Sequence, residues 1–241
     1  MVAMSELMMH TEVGVHNQNM PQSMARIIEG GSWKKQRMVV VIPADKVIPS
    51  KVALSYWNLM FPPNQPVYKI LAQGMEVGHA YSSALEMIMS HPDLSTFEYL
   101  LTIEADNMPP PDGVLKLLRR METHPELSCI SGLYWIKGEG GIPQIWGDPL
   151  DTVPNARPQV PKPGELVECC GTGMGFALWR LQMFRDPKLR RPFFKTVASP
   201  QEGVGTQDLY FWSDARKHGY RCAVDCDVLV GHHDQLSGIT W

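Results

Sequence analysis

Apolar residues along this chain fall into short runs that alternate between two periods. Met38 to Pro43 is a continuous, mostly β-branched run stopped by proline. A run without a polar face predicts a strand buried on both sides, as in a parallel sheet. Ser50 to Met60 takes helical spacing through Val52, Leu54, Trp57 and Leu59, and Pro62, Pro63 and Asn64 end it. Val67 to Leu71 predicts a second strand, and Val77 to Ser90 a second helix with Ala80, Ala84, Leu85, Ile88 and Met89 on its inner side. Phe97 to Glu104 predicts a third strand, which Pro109, Pro110 and Pro111 cannot continue. Asp112 is placed to cap a helix from Gly113 to His124, and Leu127 to Tyr134 predicts a fourth strand. The alternation predicts an α/β fold with a mainly parallel sheet flanked by helices.

The pattern changes after residue 136. Residues 137–168 carry Gly138, Gly140, Gly141 and six prolines. They predict a long surface segment with an antiparallel hairpin, of the kind that forms lids and binding loops. Gly171 to Gly175 then leads into the apolar run Phe176 to Arg180. Asp208 to His218 predicts a helix, and Cys222 to Val230 a last strand ending at Gly231, His232, His233 and Asp234. Residues 1–36 show no period and predict an irregular arm, suited to packing on a second copy. The expected organisation is therefore an arm followed by one domain over 37–241, with halves 37–136 and 137–241.

Composition narrows the class. With 241 residues, 44% apolar and 20% charged, the chain fits one soluble α/β domain. A net charge of −3 supplies no bulk attraction to nucleic acid or to an anionic membrane. The short cluster Lys188, Arg190 and Arg191 suits a solvated loop. Five cysteines include no CxxC pair, which argues against a zinc ribbon or a thioredoxin-type motif. Their odd number, with no secretory leader, predicts a reducing, cytoplasmic setting. No apolar run approaches the roughly 20 residues of a membrane span.

Four groups can carry chemistry. Glu104 and Asp106 end an apolar strand, where open α/β sheets collect ligands. Two carboxylates one residue apart there suit a hard divalent cation that also binds substrate phosphates, although a polar turn needs no more than the same residues. Gln207 and Asp208 open an amphipathic helix, where Asp208 can be a general base or simply a first-turn acid. His232 and His233 follow the last strand, as metal ligands or ordinary histidines. Gly171, Gly173 and Gly175 allow close backbone approach to a ligand, but lack the spacing of a phosphate loop.

In this order, the groups resemble the GT-A glycosyltransferases of the family 2-like group. The resemblance runs over roughly 37–234. Val41 to Pro43 is similar to the first nucleotide-contacting loop. Tyr99 to Asp106, followed by three prolines and a helix, resembles the stretch with the DxD motif. Val167 to Arg180 resembles the segment before the acceptor site. Gly205 to Arg221 resembles the glutamate-aspartate helix, and Val228 to His232 the strand that delivers a histidine to the metal. Glu104 stands where the motif has its first aspartate, and Gln207 where the helix has its glutamate.

The resemblance implies a GT-A fold, Rossmann-like on the nucleotide side, with an antiparallel acceptor-side portion. It implies transfer of a sugar from a nucleotide diphosphate sugar to a hydroxyl of a glycan, lipid-linked or other acceptor. Pro43, Ala44 and Asp45 would line the base and ribose; Gly132, Gly173, Glu104 and Gln207 would complete the substrate pocket. Asp106 and His232, with Glu104, would hold Mn2+ or Mg2+ on the diphosphate. Asp208 would take the acceptor proton, which implies inversion. Tyr134, Trp135 and Trp146 could stack on sugar faces or pack in the interior. The departures at Glu104 and Gln207 keep a second class open: a nucleotide-sugar or glycan-binding protein without turnover. A sugar-1-phosphate nucleotidyltransferase is disfavoured, because no glycine-rich loop with following Arg and Lys succeeds the first strand.

Overall fold

The computed structural model describes residues 35–136, 141–151, 157–199 and 203–241. The expected arm thus lies outside the described residues apart from Lys35 and Gln36. Gln36–Trp241 forms one compact unit.

A seven-stranded sheet organises this unit. Its strands are β1 (Met38–Ala44), β2 (Val67–Gln73), β3 (Tyr99–Ile103), β4 (Cys129–Leu133), β5 (Leu166–Cys169), β6 (Phe176–Arg180) and β7 (Cys222–Leu229). They lie in the order β2-β1-β3-β6-β4-β7-β5. β1 pairs parallel with β2 and β3, and β4 parallel with β7. β6 is antiparallel to both β3 and β4, and β5 is antiparallel to β7. Five strands therefore run one way and two return, a mostly parallel sheet with antiparallel insertions from its second half.

Burial explains the uninterrupted apolar runs. Val39 and Val41 of β1 join the core on one sheet face, and Met38 and Val40 the core on the other. Helix α2 (Val77–Ser90) covers the first face through Ala84, Leu85 and Ile88. Helix α3 (Gly113–Thr123) covers the second through Val114, Leu117, Leu118 and Met121. Beside α2, helix α4 (Gln207–Ala215) supplies Phe211 and Trp212 to an aromatic core around Trp179 of β6. The Trp179 and Trp212 rings stack at 5.4 Å, and the Trp179 indole N–H donates to Thr102 Oγ1 at 3.1 Å. The large apolar rings are thus buried with that indole's polar handle satisfied.

Several boundaries differ from expectation. The first helix, α1 (Ser50–Trp57), stops before Met60, and Trp57 is 86% exposed although its spacing suggested an inward position. Asp112 makes no capping bond; its carboxylate pairs with Lys116 at 3.2 Å, one helical turn on. In the segment 137–168 expected to hold a hairpin, Ile142–Pro143 pairs antiparallel with Trp135–Ile136, which lie just before it. Arg190 is more than a solvated loop residue: its guanidinium lies 3.6 Å from the Tyr210 ring centroid and clasps the outer side of α4.

Gly132 is a packing position. The β7 register skips from Asp225 to Leu229 opposite Gly132 and Leu133, and the following chain crosses directly over the glycine. A Cβ there would stand 2.6 Å from Val230 Cγ2 and 2.9 Å from the Val228 carbonyl oxygen. Gly132→Ala should therefore lower unfolding free energy by about 1–3 kcal/mol through overpacking. Urea denaturation, with an unchanged slope against denaturant, checks this.

Candidate functional site

β1 and β3 run parallel and neighbouring, so their carboxyl ends open on the same side of the sheet. A cleft of about 490 Å³ lies there. Pro43, Ala44, Asp45 and Lys46 line it from the end of β1, and Glu104, Ala105 and Asp106 from the end of β3. Gln207, the first residue of α4, and Gln235 near the C-terminus close other walls. This is where ligands collect in open α/β sheets.

The turn after β3 is tied down from three directions. Glu104 N–H donates to the Gly175 carbonyl at 3.1 Å, and the Tyr56 hydroxyl donates to the Glu104 carbonyl at 2.6 Å. Asn107 N–H closes the turn on the Glu104 carbonyl at 3.0 Å. The Glu104 carboxylate accepts from the Gln207 side-chain amide at 3.2 Å. Burial, reinforced by the charges of Asp106 and Asp208, pushes the Glu104 carboxyl up to about 8; the Gln207 amide pulls the other way. A neutral amide at 207 can serve that partly buried carboxyl where a second acid would repel it.

Asp106 meets His232 across another strand pair. Gly231–His232 runs antiparallel to Asn107–Met108, with His232 opposite Asn107. His233 N–H donates to the Asp106 carbonyl at 2.7 Å, and His232 Nε2 stands 3.3 Å from Asp106 Oδ2. Of the two adjacent histidines, His232 is thus the one on the carboxylate; His233 is buried, with Nδ1 on Thr240 Oγ1 at 3.0 Å. Among the described residues, no three His, Cys, Asp or Glu gather as a metal site. The predicted trio divides into the Asp106–His232 pair and Glu104, which is bonded to Gln207. Asp106 Oδ1 and His232 Nδ1 are buried without a hydrogen-bond partner among the described residues.

Asp208 is only 4% exposed and does not line the cleft, although its neighbour Gln207 does. Burial raises its carboxyl, against the lowering effect of the Thr206 hydroxyl and the backbone N–H groups of Leu209 and Asp208. Gly173 and Gly132 do not line the cleft either. A Cβ at Gly173 would collide with the Tyr134 hydroxyl, so this glycine lets the turn before β6 approach the aromatic ring. Tyr134 is itself buried and accepts the Gly175 N–H at 3.1 Å, Trp135 packs against the core, and Trp146 donates to Gln144 at 3.2 Å. Sequence reasoning missed Tyr56 and Gln235. Tyr56 sits on a helix read only for its apolar residues, and Gln235 lies beyond the last predicted strand, where no period pointed inward.

No family model matches the chain, and no curated protein matches it. Among solved structures it is similar to A197 from STIV, with a TM-score of 0.58 at 16% identity over 83% of this chain and 86% of that one. It is also similar to S. aureus TarS 1-349 in complex with UDP-GlcNAc, with a TM-score of 0.50 at 13% identity over 80% of this chain. The match spans 58% of the TarS chain. At these identities the likeness concerns the fold: a mixed α/β, GT-A-like architecture. Among the described residues, no helix is long and apolar enough to cross a membrane.

The raised Glu104 carboxyl has a consequence for stability. Between its ordinary 4.5 and about 8 the folded chain holds a proton that the unfolded chain has lost, so stability falls as pH rises through this window. Glu104→Gln removes that slope. Melting temperatures of the two proteins measured across the window should therefore diverge, with the wild type declining relative to the variant as pH rises.

Proposed function

We propose that the chain is a glycosyltransferase that takes its sugar from a nucleoside diphosphate sugar bound at the ends of β1 and β3. The observation that supports this most is Asp106, which lines a cleft with Glu104 and Gln207 on a GT-A-like fold and is met by His232 from the neighbouring wall. A structure of similar fold, TarS, is known with UDP-GlcNAc bound.

Charge argues for a divalent cation as cofactor. Asp45 and Asp106, beside a Glu104 that keeps its proton near neutral pH, line the cleft against Lys46 as its one lysine or arginine among the described lining residues. A diphosphate entering this wall meets repulsion unless a cation intervenes. Asp106 and His232 would hold such an ion, Asp106 Oδ1 being a buried acceptor with no hydrogen-bond partner among the described residues. Mn2+ or Mg2+ there would supply Lewis-acid stabilisation of the negative charge on the departing diphosphate.

The chain's own residues do the rest. Pro43, Ala44 and Asp45 receive the nucleoside, and Glu104, kept protonated to near neutral pH, can donate as well as accept a hydrogen bond toward the ligand. Gln207 holds Glu104 in place at the cleft wall. Asp208 is the proposed acceptor of the proton from the acceptor hydroxyl as that oxygen attacks the anomeric carbon, which inverts the centre; because its carboxyl is buried outside the cleft, this role requires the wall at Gln207 to open first. The raised carboxyl of a buried Asp208 makes it a stronger base than a free aspartate.

A second reading, a nucleotide-sugar-binding protein without turnover, is favoured by the burial of Asp208 and by the neutral Gln207. Incubation with UDP-sugar, Mn2+ and an acceptor panel separates the two, because only the transferase releases UDP in proportion to product. Asp106→Ala should abolish metal-dependent transfer. It should also abolish the metal-dependent rise in melting temperature with UDP, an effect worth about 2.7 kcal/mol at a ligand concentration about 100-fold above Kd. Full activity in this variant would refute the metal assignment.

A further inference from the structure

Residues 46–75 contain three lysines and no aspartate or glutamate, in a chain that carries 25 acids and a net charge of −3. They span helix α1, the turn after it and strand β2, which forms one edge of the sheet. Among the described residues, seven of the fifteen exposed large apolar side chains fall in this stretch. Helix α1 explains part of that concentration. It buries Val52 and turns the Tyr56 hydroxyl to the Glu104 carbonyl, so its inward side is occupied. Leu54 and Trp57, one turn apart on the opposite side, are 55% and 86% exposed.

The exposed groups gather across α1 and β2. Lys69 Nζ lies 5.3 Å from the Phe61 ring centroid, which brings the chain after α1 against β2. Leu71 shares the strand face of Lys69, two residues on, and is exposed, as is Met60 beside Phe61. Lys51 stands one turn before Leu54 on the helix. Asp112, reached through the Met60 N–H bond to the Pro111 carbonyl at 2.8 Å, is already paired with Lys116. The surface is therefore cationic and apolar at once.

A two-fold contact with a second copy would set this patch against itself. Lysine would then meet lysine, with no carboxylate in 46–75 to answer it. A nucleic acid offers phosphates to the lysines but leaves Leu54, Met60 and Leu71 without an apolar partner. The interface of an anionic bilayer answers both halves of the patch. An indole sits at headgroup level, aliphatic side chains enter the acyl boundary, and lysines stay with the lipid phosphates. We infer that α1 and the β2 edge form a peripheral docking surface for an anionic lipid bilayer. The net charge of the whole chain does not oppose this, because attraction at a membrane acts within a Debye length of the patch. The inference stands apart from sugar transfer. It sets the rim of the cleft beside the membrane, since Lys46, Val47 and Met75 of the same stretch line that cleft.

The test is co-sedimentation of the full chain with vesicles of equimolar phosphatidylcholine and phosphatidylglycerol, against vesicles of phosphatidylcholine alone. The anionic vesicles should bind it about tenfold more tightly, and added salt should erase the difference. Trp57→Ala should weaken binding to the anionic vesicles about tenfold. Its melting temperature should stay that of the wild type, because the ring is exposed. Lys51→Gln should cost about fivefold on the anionic vesicles and nothing on the neutral ones. No sedimentation with the anionic vesicles, equal binding to both kinds, or indifference to Trp57→Ala overturns the inference. A dimer in analytical ultracentrifugation that Trp57→Ala dissolves overturns it in favour of a second copy. Binding of a single-stranded oligonucleotide in place of the vesicles overturns it in favour of nucleic acid.

Discussion

The antiparallel pairing of Gly231–His232 with Asn107–Met108 is the contact on which the site depends. β3 and β7 are not neighbours in the sheet; β6 and β4 lie between them. Their extensions nevertheless converge beyond the sheet edge, and the His233 N–H bond to the Asp106 carbonyl fixes their register. A slip of one residue would turn His232 to the opposite face and part it from Asp106. The β7 irregularity over Gly132 gives that strand extra length on its way to this meeting, which is why a glycine far from the cleft matters to its geometry.

Charge organises the cleft as firmly as backbone does. Carboxylates just beyond β1 and β3 line the cleft, with the buried Asp208 of α4 close enough to raise Glu104, and the fold tolerates them by three means. Glu104 holds its proton to about 8, Gln207 stands where another acid would add repulsion, and Asp106 has His232 beside it. Such a wall is unfavourable for a bare diphosphate and well suited to one that arrives with a divalent cation.

Much of the sheet was legible because β1 and β3 are buried almost throughout and read as nearly unbroken apolar runs. Helices α2 and α3 were legible from their stripes. The antiparallel insertion of β6 at the centre of the sheet was not, because an apolar run says that a strand is buried but not which way it points. Trp57 misled because helical spacing marks a face without saying whether anything packs on it. Of the residues expected in the site, Pro43, Ala44, Asp45, Glu104, Asp106 and Gln207 line one cleft, and His232 meets Asp106 beside it. Gly132 and Gly173 went elsewhere, since close packing and close ligand approach both call for the same missing Cβ. The C-terminal wall with Gln235 and Trp241 was invisible, because it is held by turn bonds and backbone pairing that leave no periodic trace.

The most direct test of this account is the position of Mn2+ in crystals grown with a nucleoside diphosphate, located by its anomalous scattering. The account predicts a single strong peak between the Asp106 carboxylate and the His232 ring, bridging to the diphosphate, with the nucleoside against Pro43, Ala44 and Asp45. A diphosphate bound on Lys46 without metal, or Mn2+ held away from Asp106 and His232, would contradict it.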